Sequence, residues 1–166
     1  MIDLKKLNPN RHATKKYLSW LKNPEVKRFT DLKYHKFSIQ KIKEFIYEKN
    51  KSKNEFLLGI FLKKNNIHIG NIKIGPIHKF DRTAEISYFI GDSENWGRGY
   101  ASLAIKKAII FSKKIKVKKL KVTGFEINYA SKKIIEKNGF YREGRLKSEL
   151  LHNKKRYSAF IYAKIL

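Results

Sequence analysis

A mixed α/β domain organised around one central sheet is the fold class this sequence predicts, and three observations carry the prediction. Apolar runs of strand length alternate with segments of helical periodicity along the 166 residues. A run that reads as a strand, Ala84–Ile90, leads into the glycine-rich turn Asn95-Trp96-Gly97-Arg98-Gly99-Tyr100-Ala101 and then into a long helix. Another strand follows that helix, and a strand–helix–strand crossover makes neighbouring strands parallel.

The elements can be justified in order. Ile2–Leu7 reads as a short first strand. Thr14 to Leu21 sets Tyr17, Leu18, Trp20 and Leu21 along a short helix that Asn23-Pro24 stops. Ser38 can cap a second helix, in which Ile39, Ile42, Phe45 and Ile46 recur at helical spacing up to Asn50. Glu55–Lys63 is apolar enough for a buried strand, and Lys64-Asn65-Asn66 turns it into a second one, Ile67–Ile77. Ala84–Ile90 is the next strand, and the helix after the glycine turn runs from Ser102 to about Lys114. Lys119–Glu126 is a strand, Asn128 to Asn138 a helix that Gly139 ends, and Phe140–Leu150 and Arg156–Leu166 are two last strands around Asn153-Lys154. The expectation is about seven strands flanked by about four helices, in a single domain covering residues 1–166.

Composition narrows the function. With 42% hydrophobic and 13% aromatic residues the chain can build a core. Without cysteine it has no disulfide, no Cys-zinc site and no thiol nucleophile, which fits a cytoplasmic location. No stretch is long and apolar enough to span a membrane, and the N-terminus lacks the apolar block of a signal peptide. The formal charge is +25. Such an excess attracts polyanions: a nucleic acid, a ribosome or a nucleotide-linked substrate. The even spread of lysines from Lys5 to Lys164, with few arginines, favours the plainer reading of solvated faces.

The glycine turn carries the most chemistry. A glycine-rich turn entering a helix leaves backbone N–H groups unpaired at the positive end of the helix dipole. That combination suits a phosphate or pyrophosphate. It is not a P-loop, because no Lys-Ser/Thr pair follows the glycines, and it lacks the three-glycine dinucleotide spacing.

Trp96-Gly97-Arg98-Gly99-Tyr100-Ala101 resembles the cofactor signature of the GNAT acetyltransferase superfamily, Gln/Arg-x-x-Gly-x-Gly/Ala, with Trp96 at the Gln/Arg position. That exchange is usual in the branch holding the Rim-type ribosomal-protein acetyltransferases and many amino-sugar acetyltransferases. Ile90-Gly91-Asp92, Asn128-x-x-Ser131, Lys137-Asn138-Gly139-Phe140 and Glu143-Gly144-Arg145 are similar to the same branch. The resemblance implies a GNAT fold and acetyl-CoA as co-substrate, without a metal. It implies that backbone groups of Gly97, Arg98, Gly99, Tyr100, Ala101 and Ser102 cradle the CoA pyrophosphate. It further implies that the strand edge at Phe89 and Ile90 pairs with the pantetheine amides, that Asn128 touches the pantetheine arm, and that Ser131 sits near the sulfur.

The implied chemistry is acyl transfer from a thioester to a primary amine, which calls for a base to take the amine proton and an acid near the leaving sulfur. The tyrosine that many members place shortly before the Gly-Phe pair falls here at Ile135, so Ser131 is the expected substitute. Glu85, on the strand bordering the cofactor, is the expected base, directly or through water, against the alternative of a surface carboxylate. Tyr88 and His78 are weaker candidates. The resemblance points to a nucleotide-linked amino sugar of surface-polysaccharide synthesis as acceptor. The alternatives are a Rim-type acetyltransferase of a protein N-terminus and an inactive basic RNA- or ribosome-binding module. Monomer and homodimer both stay open.

Overall fold

A computed structural model describes Met1–Leu166. The strands are β1 (Ile2–Lys6), β2 (Phe56–Leu62), β3 (His68–His78), β4 (Thr83–Ile90), β5 (Lys119–Phe125), β6 (Tyr141–His152) and β7 (Lys155–Ile165). The α-helices are α1 (Pro9–His12), α2 (Lys15–Lys22), α3 (Pro24–Lys27), α4 (Ile39–Lys51), α5 (Tyr100–Lys114) and α6 (Tyr129–Lys137). The strands form one sheet of seven in the order β1-β2-β3-β4-β5-β7-β6. Only β4 and β5 pair in parallel, as the crossover through α5 requires. This is the mixed α/β architecture with one central sheet that the sequence predicts.

The helix count departs from expectation: there are six rather than about four. The two additions, α1 and α3, are single turns of four residues, too short to show periodicity. Each begins with an asparagine cap and a proline. Asn8 Oδ1 accepts from the N–H of Asn10 and Arg11, and Asn23 Oδ1 accepts from the N–H of Glu25. Asn23-Pro24 therefore stops one helix and starts the next. A 3₁₀ turn, Asp31–Tyr34, completes the segment before α4.

Strand alternation sends apolar residues to two cores, one on each face of the sheet. The larger holds Ile72, Ile74, Ala84, Ile86, Leu120, Val122 and Phe160 against Ala104, Ile105 and Ala108 of α5 and Ile135 of α6. The smaller holds Leu57 and Phe61 of β2 against Tyr17, Trp20, Leu21, Ile42 and Ile46 of α2 and α4. Tyr88 packs against the first core and its neighbour Phe89 against the second. A Cβ on Gly91 would lie 2.3 Å from the Trp20 ring, so only glycine lets α2 seat on the end of β4.

The parallel pairing of β4 and β5 is short. It joins Thr83 to Lys119, Ala84 to Leu120 and Glu85 to Lys121, and goes no further. Beyond it β4 stays bonded to β3 through Ile90, and β5 to β7 through Phe125. A slit therefore opens between Ile86–Ile90 and Val122–Phe125, with unpaired strand edges on both walls.

Glu55 anchors α4 beside this sheet. Its carboxylate accepts from Lys49 Nζ on α4 and from Lys73 Nζ on β3, the latter at 3.1 Å. Burial by itself would raise the Glu55 carboxyl, but the two ammonium groups outweigh it and hold it below its ordinary 4.5. A carboxyl depressed on folding contributes stability above its unfolded pKa and loses it as pH falls through the folded value. Glu55→Gln is expected to cost about 1–3 kcal/mol at neutral pH. In urea unfolding, the gap between parent and variant should close in acid. A gap that persists in acid would assign the effect to packing.

Candidate active site

The glycine turn is built as a cradle. Gly97 and Gly99 adopt φ of 72° and 77°, the left-handed region that other residues avoid. Gly99 caps α5, so the helix begins at Tyr100, two residues before the expected Ser102. Every backbone N–H from Gly97 through Ser102 lacks a hydrogen-bond partner within the chain; the first to find one is Leu103, on the Gly99 carbonyl. A Cβ on Gly97 or Gly99 would meet nothing within 4 Å. Open backbone, free donors and a helix N-terminus together fit a pyrophosphate. The Trp96 indole N–H donates to the Ile90 carbonyl at 2.7 Å and ties the turn to the end of β4. Trp96 thus acts as a strut between the turn and β4. Arg98 is exposed, while Tyr100, Ala101 and Ser102 are half-buried, and Ser102 Oγ accepts from Asn138 Nδ2 at 3.0 Å.

The slit runs away from this cradle. Phe89 and Ile90 lie on its β4 wall, half-buried, with one edge toward β3 and the other unpaired. On the far wall the chain leaves β5 at Phe125 and enters α6 through its cap, Asn128. Asn128 Oδ1 accepts the Ser131 N–H at 3.2 Å, which leaves its Nδ2 free for a ligand. Ser131 Oγ lies 2.9 Å from Tyr88 Oη and so faces the β4 wall.

The candidates for proton transfer separate by face. Glu85 is exposed at the closed end of the slit, opposite Lys121, and forms no ion pair or side-chain hydrogen bond. By alternation Glu85, Ser87 and Phe89 share the face of α1–α4, whereas Tyr88 and Ser131 lie on the face of α5 and α6. His78 is exposed at the far end of β3, opposite Thr83, and is not brought to the slit. Ile135 is fully buried in the larger core.

A feature that sequence reading missed lies at the C-terminal end of β5, on the Glu85 face. It is a cavity of about 480 Å³ between the α3 segment, the β5–α6 loop at Ile127 and the β6–β7 turn. Lys27, Arg28, Lys33, Phe29 and Tyr157 line it, with Glu25 as its one carboxylate. None of the three cations is in an ion pair. Its aromatic wall is continuous: Phe29 stands 5.7 Å from Phe125 between ring centroids, and Lys33 Nζ is 4.6 Å from the centroid of Phe125. The local signal was Lys27-Arg28-Phe29 and Lys33-Tyr34, cations beside aromatics in a stretch without helical periodicity. No cluster of three or more His, Asp or Glu side chains is placed to hold a metal ion, and no helix is long and apolar enough to cross a membrane.

Comparison with known proteins agrees with this fold. The fold matches RimL, a ribosomal-protein alpha-N-acetyltransferase in complex with CoA, with a TM-score of 0.88 at 17% identity over 99% of this chain and 94% of that one. It matches MccE, a microcin self-immunity acetyltransferase in complex with acetyl-CoA and AMP, with a TM-score of 0.84 at 22% identity over 99% and 92%. The spermidine N-acetyltransferase of Vibrio cholerae, in complex with CoA and spermine, gives 0.86 at 18% over 99% and 95%. In sequence, the uncharacterised N-acetyltransferase YoaA of Bacillus subtilis is 30% identical over 96 residues, 57% of this chain. The chain spans about half the length of that relative, 54%. The acetyltransferase (GNAT) domain family matches residues 4–141, and the chain belongs to that family.

Proposed function

We propose that this chain transfers the acetyl group of acetyl-CoA to the primary amine of a nucleotide-linked amino sugar, of the kind used in surface-polysaccharide synthesis. The observation that carries the acceptor class is the cavity on the Glu85 face. Three unpaired cations beside an aromatic wall suit a ligand with phosphates and a flat ring, since guanidinium and ammonium bind phosphate and the rings stack on a base. A polyamine acceptor would meet three cations there against the single carboxylate of Glu25. The AMP in the MccE complex supports the same reading, as a nucleotide held by a protein of this fold.

Acetyl-CoA supplies the activated acyl group. The chain supplies position and proton transfer. The amides from Gly97 to Ser102 hold the pyrophosphate, the open edge of β4 at Phe89 and Ile90 orients the pantetheine arm, and Asn128 Nδ2 donates to it. Glu85 accepts the proton of the acceptor's ammonium group, directly or through water. Ser131 Oγ donates toward the sulfur as it leaves.

The test is an acetylation assay with acetyl-CoA and three acceptors: a UDP-linked amino sugar, a peptide with a free N-terminus, and spermidine. The sugar nucleotide should be acetylated with the highest kcat/KM. Arg28→Ala and Lys33→Ala should each raise its KM about tenfold, with kcat little changed, because each removes a charged contact worth roughly 1.5 kcal/mol. Preference for the peptide would favour the Rim-type reading. RNA binding that resists competitor RNA, with no acetyl transfer to any amine, would favour the binding module.

A further inference from the structure

We propose that Tyr88 is a positioning residue for the leaving group: its phenol donates to Ser131 Oγ and turns the serine's own proton toward the slit between β4 and β5. This rests on the acetyl-transfer reading above. The starting observation is the 2.9 Å bond between Tyr88 Oη and Ser131 Oγ. Tyr88 stands on β4 beyond Glu85, where β4 has already parted from β5. Ser131 stands in the first turn of α6, which follows β5. The bond therefore links the two walls of the slit.

The direction of the bond follows from chemistry. A hydroxyl has one proton to give and two lone pairs to accept with. A phenol is a stronger acid than an alkyl alcohol, so Tyr88 is the better donor of the pair. Burial pushes the Tyr88 phenol above its ordinary 10.0, against the lowering effect of the Ser131 bond, so it keeps its proton throughout. The Ser131 N–H goes to Asn128, and Oγ has no partner in the chain besides Tyr88. With Tyr88 as donor, the Ser131 proton is left free for a group in the slit.

The same arrangement accounts for Ile135. Residues 131 and 135 are one helical turn apart and share a face of α6. Ile135 is fully buried and can supply no proton. A hydroxyl one turn earlier, backed by a phenol from β4, stands at the slit instead. As the amine nitrogen bonds to the acetyl carbon, the carbon–sulfur bond breaks and its electron pair stays on sulfur. Ser131 Oγ–H donates a hydrogen bond to that sulfur, and Tyr88 holds the serine oxygen. Neither residue loses its proton; the ammonium group gives one proton to Glu85 before attack and the nitrogen releases a second after it, both pass to solvent, and solvent returns one to the thiolate.

The experiment reads the product thiol directly, so it needs no acceptor. CoA is bound to the protein and its thiolate absorbance is followed against pH. An alkyl thiol such as cysteine ionises near about 8.5, and the bound thiol should ionise roughly one unit lower than free CoA. Ser131→Ala and Tyr88→Phe should each abolish that shift, the double variant no more than either single one, and all three should still bind CoA at a pH where its thiol is neutral. Ser131→Thr, which keeps the hydroxyl, should retain the shift. A Tyr88→Phe protein that binds CoA normally with the thiol still depressed would overturn the proposal, as would additive losses in the double variant. If Tyr88→Phe does not fold, the parent and Ser131→Ala are prepared with fluorotyrosine, whose phenol is a stronger donor. The bound thiol should then ionise lower still in the parent alone, and an equal response in both would overturn the proposal. Absence of acetyl transfer to sugar nucleotides would affect only the acceptor, since the thiol readout stands without it.

Discussion

Gly99→Val is expected to raise the dissociation constant of CoA about a hundredfold. The argument begins with donors that have nothing else to bond. From Gly97 to Ser102 no backbone N–H finds a partner in the chain, and the space that a Cβ would enter at Gly99 is open. A valine side chain there would stand where the phosphate oxygens must come to reach those donors. Losing two charge-assisted hydrogen bonds costs roughly 3 kcal/mol, which is about two decades of affinity. The φ of 77° at Gly99 adds a second effect, because a residue with a Cβ in that region is strained by about 1–2 kcal/mol. Stability should therefore fall modestly while binding falls steeply. Gly99→Asn separates the two, since asparagine tolerates the left-handed region yet still fills the space. It should bind CoA nearly as poorly as the valine variant while melting near the parent. Calorimetry on both proteins decides the matter: parental affinity in either would remove the cradle from the cofactor site.

The cradle could be read from sequence because its signal is local. A strand, a run of glycine and small residues, and a helix follow one another within a few residues, and each imposes its own backbone geometry. The same holds for β2, whose continuous apolar run is buried, and for α4, whose Ser38 cap accepts the Lys41 N–H at 3.1 Å as its side chain allows. The slit was not legible in this way. Nothing in Ala84–Ile90 or Lys119–Phe125 says that their pairing stops at Glu85 and Lys121, because register between distant strands is set by the packing of whole elements. The cavity was hidden for a related reason, since its walls come from Lys27 to Lys33, Ile127 and the turn before Tyr157. The Tyr88–Ser131 bond joins positions 43 residues apart. Alternation along β4 did contain part of it. Glu85 and Tyr88 are an odd number of residues apart, so they had to face opposite sides of the sheet.

That separation of faces makes Glu85→Gln the most direct test of the chemistry. Glu85 is exposed, unpaired with any cation, and set where the slit closes. It shares its face with the basic cavity, so an amine carried by a ligand in that cavity approaches from the Glu85 side. At neutral pH a primary amine is mostly protonated and cannot attack until its proton is removed. Exchange of the carboxylate for an amide of the same shape removes the acceptor for that proton and little else; an exposed substitution of this kind shifts stability within about 0.5 kcal/mol. The expected result is a fall in kcat/KM of roughly a hundred- to a thousandfold, the range of a lost general base, with CoA affinity unchanged. The gap should narrow as the pH is raised, because a more alkaline solution deprotonates the amine without help from the enzyme. A variant with the parent's kcat/KM across the whole range would mean that the amine reaches the thioester already neutral, and Glu85 would then be only a surface carboxylate at the closed end of the slit.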